Sequence, residues 1–140
     1  MSFELSTIDT QISSILSGIS TIQTYLNEDV IPQSGFPAVT YQFTSRSGEA
    51  YLNTHNREEF IYTLKVWFET QRVGKSEAVR ITQDIVSDLF NSFQANITLN
   101  STVDFIRPMN AGMVQEISHA HGDLIMVPVE LVCVKLVAWA

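Results

Sequence analysis

Three places in the chain bring together residue types that chemistry uses. His119 and His121 are two apart, so on a strand both would point the same way, and Asp123 or Glu116 would complete a donor set for a metal. Gly74-Lys75-Ser76 precedes a helical pattern, as the end of a phosphate-binding loop does. Glu58 and Glu59 are adjacent carboxylates. Each falls short. His121 runs straight into the turn signal Gly122-Asp123, and no further His or Cys cluster supports the pair. A hairpin end with exposed or hydrogen-bonded histidines is the simpler reading. A phosphate loop needs a glycine five residues before Gly74, where Glu69 stands. Neighbours on a strand face opposite ways, so Glu58 and Glu59 cannot share a proton. Serine is plentiful, yet none sits in a recognisable strained turn. Cys133, the single cysteine, lies in an apolar run and reads as a small buried hydrophobe. No catalytic residue, cofactor or metal is called for, and a structural or assembly protein is favoured over an enzyme.

The stretch that must position everything else is 58–70, EEFIYTLKVWFET. Phe60, Tyr62, Leu64, Val66 and Phe68 alternate with Ile61, Thr63, Lys65, Trp67 and Glu69, the period of a strand. Before it, Ile8, Ile12, Ile15, Ile19, Ile22 and Leu26 form one stripe, which predicts a helix of about five turns capped at Ser6 with Asp9 in its first turn. A strand is predicted over 39–43. Residues 44–57, polar and holding Arg46, His55 and Arg57, read as an extended hairpin or protruding loop. A second helix is predicted over 76–93, with Ala78, Ile81, Ile85, Leu89 and Phe93 inward and Val86 widening the stripe. A short extended piece is expected at 97–99, then strands over 102–106, 112–119 and, longest, 124–139.

That last strand is mostly apolar on both faces from Leu131 onward, and Ile61 and Trp67 lie off the core face of the middle strand. Two helices can hardly cover both faces of a sheet. The second face is therefore expected to meet a neighbouring subunit, with Ile61, Trp67 and Trp139 in the contact. The polar stretch, with Arg46, Tyr51, Asn53, His55 and Arg57, is the candidate contact for a different partner.

A chain of 140 residues is one domain, 1–140, long enough for a core. Its net charge of −7 repels phosphates and argues against duplex DNA binding by the isolated subunit. The first residues lack the basic start of a signal peptide, and the apolar end is too short and too interrupted to span a bilayer. A soluble protein made in the cytoplasm is expected. The fold class is α+β, a small, mainly antiparallel sheet packed against two helices.

The order of features resembles the tail-terminator and tail-completion (head–tail joining) proteins of long-tailed bacteriophages. The matching features are the amphipathic first helix, Gly35-Phe36-Pro37-Ala38-Val39 leading into a strand, the polar stretch, the aromatic strand at 60–68, the helix at 78–93 and the long apolar final strand. The resemblance covers nearly the whole chain and is one of pattern and length. It implies a ring subunit, usually one of six, in the virion neck at the head-proximal end of the tail. Such a ring ends tail-tube polymerisation, docks the head connector, and lets DNA pass its lumen without sequence-specific binding. No catalytic or cofactor residues and no membrane contact are carried over. The alternatives are another neck or tube component, or a small-molecule- or metal-binding α+β domain.

Overall fold

The computed structural model describes residues 5–51, 55–118 and 122–138. In chain order these form α1 (Leu5–Ser17), β1 (Thr24–Leu26), β2 (Ala38–Tyr51), β3 (His55–Glu69), α2 (Lys75–Gln94), β4 (Phe105–Ile106), β5 (Asn110–Ala111), β6 (Gln115–Ile117) and β7 (Leu124–Ala138). The chain is α+β. One sheet runs in the order β1-β2-β3-β7-β4, with β5 and β6 also on the outer edge of β7. Only the β1–β2 pairing is parallel; the rest are antiparallel.

The frame is three long strands. Tyr62 of β3 lies between Phe43 of β2 and Leu131 of β7, and Leu64 between Tyr41 and Val129. Alternation puts Val39 and Tyr41, then Phe60, Tyr62, Leu64 and Val66, then Val129, Leu131 and Cys133 on one face, all buried. Ile8, Ile12 and Leu16 of α1 and Ile85, Leu89 and Phe93 of α2 close over it. Burying each such side chain contributes about 1.5–3 kcal/mol, which makes this face the main source of stability. Thr82 takes the buried place on α2 that Ile81 was expected to hold. Its hydroxyl donates to the carbonyls of Ala78 and Val79, so no polar atom is orphaned.

Three sequence expectations are corrected. The first helix stops at Ser17 and does not reach Leu26. Gly18, costly inside a helix, follows it, and the chain continues in tight turns: Ile19 N–H donates to Leu16 and Ile22 N–H to Ile19. Turns of three residues nearly keep the helical period, so Ile19 and Ile22 stay buried beyond the helix. Ser6 lies inside α1 and is not its cap; its carbonyl accepts the Thr10 hydroxyl. The expected extended piece at 97–99 is a run of turns, with Leu99, Asn100 and Ser101 all at positive φ.

Asp9 has a role other than helix capping. The Tyr62 hydroxyl donates to Asp9 Oδ1 at 2.6 Å across the α1–sheet interface. Burial, reinforced by that bond, pushes the Tyr62 phenol far up, and burial raises Tyr41 too. Burial alone pushes the Cys133 thiol up to about 12. All three hold their protons more tightly when folded. Their contribution is therefore complete below the ordinary values, 9.0 for the thiol and 10.0 for the phenols, and is lost as pH rises past them. The urea midpoint should fall from pH 9 upward, and Tyr62→Phe should flatten that fall. A midpoint unchanged to pH 11 would contradict this account.

Candidate interaction surface

The second face of the sheet divides into two halves. Near β1 it is covered by the chain itself. Residues 27–37 cross it, anchored by the Lys65–Asp29 ion pair at 3.1 Å and by Phe36, which packs with Ala38, Trp67, Leu124 and Met126. Gly35, at φ +77°, makes the turn possible; a Cβ there would stand 2.1 Å from Thr24 Oγ1.

Trp67 is only 3% exposed under this cover, and its indole N–H donates to the buried Thr40 hydroxyl at 2.9 Å. It is a core residue of the subunit. This corrects its expected place in a subunit contact. The sequence could not show that residues 27–37, a turn-rich stretch, fold back over a face that two helices leave open.

The other half is different. A strand of 15 residues spans about 50 Å, whereas α2, with 20 residues, spans about 30 Å. The far ends of β2, β3 and β7 therefore project beyond the helices as a three-stranded arm. Residues 44–51 and 55–57 belong to it as paired strand, with Arg46 opposite Phe60 and Tyr51 opposite His55. Of the two forms expected for this stretch, the hairpin is the one adopted. Polar composition hid the strand, because both faces of the arm carry Glu and Arg.

The arm's second face holds an apolar strip. Ile61 is half-buried beside Val132, and Phe105 and Leu136 are 40% and 37% exposed. A shallow cavity of about 160 Å³ lies between Arg57, Asp104, Phe105, Val134 and Leu136. Charged groups rim the strip. Arg107 pairs with Glu59, Arg57 approaches Glu49 at 4.0 Å, and Asp104 accepts the Leu136 N–H. Arg57 Nε is buried there without a hydrogen-bond partner, an unmet donor inside the subunit.

The polar candidates do not converge. Arg46 lies on the helix side of the arm, forked onto Glu58 at 2.8 and 2.7 Å and stacked 4.9 Å over the Phe60 ring. Arg57 is on the opposite face. His55 opens β3 at the arm's tip. Asn53 and Trp139, and the side chain of Tyr51, lie outside the described residues, as do His119 and His121. Lys75 of the phosphate-loop-like triplet bonds Glu116 at 2.9 Å, which also engages one of the metal-donor candidates. Among the described residues no three His, Cys, Asp or Glu side chains converge, and no helix is long and apolar enough to cross a membrane.

The fold recurs in a solved protein known by a serial designation. The likeness covers 96% of this chain and 97% of that one, with a TM-score of 0.54 and 12% identity. At that identity it is a likeness of fold. No family model and no curated protein matches the chain.

If the apolar strip serves assembly, removing it should spare the subunit. Phe105→Ser combined with Leu136→Ser is expected to cost the subunit only about 1–2 kcal/mol each, because both side chains are already more than a third exposed, while abolishing the oligomer seen by light scattering. An oligomer of unchanged mass would contradict that role.

Proposed function

We propose that the protein is a structural subunit of a bacteriophage tail, forming a ring at the head-proximal end that ends tail-tube polymerisation and docks the head connector. The observation that supports this most is the arm. Three strands overhang the helices by roughly a third of their length, and their second face keeps an apolar strip that the chain's own covering segment does not reach. The arm lies at one end of the second face and the 27–37 cover at the other. Two unlike patches are what a head-to-tail contact needs, and such contacts close into a ring when the rotation between neighbours allows. The order of elements along the chain, with its resemblance to tail-terminator proteins, supports a place at the head-proximal end of the tail. The acidic charge fits a lumen through which DNA slides without being held.

The test is tail assembly. Tail-tube protein polymerised in the presence of this chain should give tubes that stop growing and carry a ring at one end in negative-stain images. Tubes of unaltered length without bound chain would overturn the proposal.

A further inference from the structure

The two edges of the sheet are not alike. The outer edge of β7 is closed along most of its length by β6, β5 and β4, and beyond them Asp104 Oδ2 accepts the Leu136 N–H. The outer edge of β2 is covered by β1 only at Ala38, Val39 and Thr40. Among the described residues no strand pairs with that edge from Tyr41 to Tyr51. Over 45–51 its outward backbone N–H and C=O groups are thus open to water or to another extended strand.

We infer that β2 is a self-pairing edge, and that two copies of the chain join antiparallel through residues 45–51. A second copy is the occupant because a strand edge is complementary to itself when reversed, and β2 is the long edge the chain leaves open. A bulge between Phe43 and Ser45 breaks the regular run at one end, so pairing starts at Ser45. Charge then selects the register. Centring on residue 46 would oppose two Arg46 side chains, and centring on 49 would oppose two Glu49. Centring on Gly48 avoids both and uses the whole run. It sets Arg46 opposite Ala50 and Ser47 opposite Glu49. Arg46 does not sheathe the edge, because it is tied back to Glu58 and Phe60 on its own sheet. Two-fold pairing cannot by itself build a ring. The contact is thus independent of the proposed tail role and would join subunits or rings in pairs.

Cysteine crosslinking tests the register directly. Gly48 has no positive φ, and a Cβ there meets nothing nearer than 3.5 Å, so Gly48→Cys should fold. Directly opposed residues have Cα atoms about 4.5–5.5 Å apart, within disulfide reach. Gly48→Cys should give a disulfide-linked dimer on mild oxidation, whereas Arg46→Cys alone should not. Arg46→Cys mixed with Ala50→Cys should give the mixed dimer. Cys133 is fully buried and does not compete. In the wild type, alternate amides of 45–51 should exchange rapidly when dilute and become protected as concentration rises. A Gly48→Cys protein that folds but crosslinks no faster than Arg46→Cys, or amides that stay unprotected at every concentration, would overturn the inference.

Discussion

Trp67→Ala is expected to lower the unfolding free energy of the single subunit by about 3–5 kcal/mol, the range for deleting a buried aromatic side chain. That is roughly a fifth or more of the 5–15 kcal/mol that a domain ordinarily possesses. The loss has two sources. The ring fills the space between Phe36, Ala38, Leu124 and Met126, and removing it leaves a cavity. The Thr40 hydroxyl, 2% exposed, also loses the indole donor. Trp67→Phe should restore most of the packing and leave the hydrogen bond missing, which separates the two. Urea unfolding in dilute solution, where subunits are apart, is the measurement. If Trp67→Ala kept the wild-type midpoint and changed only the oligomer mass, the indole would belong to a subunit contact.

Tyr62→Ala should cost as much, about 3–5 kcal/mol, because the ring is fully buried at the centre of the middle strand and meets Phe43 edge-on at 5.7 Å. Tyr62→Phe isolates the hydroxyl. It leaves Asp9 on α1 without its buried donor, and hydrogen bonds to charged groups contribute about 1.5–3 kcal/mol. A double-mutant cycle with Asp9→Ala should recover a coupling of that order. Additive losses would mean that the 2.6 Å contact contributes nothing. The same cycle tests why α1 stays docked. Asp9 ties it to β3 through this hydrogen bond and Ser13 bonds Tyr41 of β2, while Ile8, Ile12 and Leu16 hold it by packing.

What was legible in the sequence follows from period. The alternation of 60–68 and 124–138 marked the two inner strands and their core faces correctly. The three-and-four spacing from Ala78 to Phe93 marked α2 to within one residue at each end. Period also misled. Ile19 and Ile22 keep the helical stripe through turns, so the end of α1 was invisible to spacing, although Gly18 was a signal for it. Leu26 closed the stripe by coincidence, since it lies on β1. Alternation divided β3 into faces but could not say what covers each. Trp67 and Ile61 share a face, yet one lies under residues 27–37 and the other on the open arm. That difference depends on a long-range fold-back held by Lys65–Asp29 and Phe36, contacts between residues far apart in sequence. The arm was hidden for a related reason. Residues 44–51 have the composition of a loop and are strand because β3 is there to pair with them.

The central claim is that this chain works as an assembled ring. It is tested most directly by the mass of the purified protein in light scattering, across concentrations and at two salt levels, with and without tail tubes. The account predicts a discrete closed species near six subunits, doubled at high concentration where β2 edges pair, or a subunit or pair that becomes a ring when tubes are added. A strict monomer that ignores tubes and carries a stoichiometric ligand or metal would contradict it and point to a binding or catalytic domain.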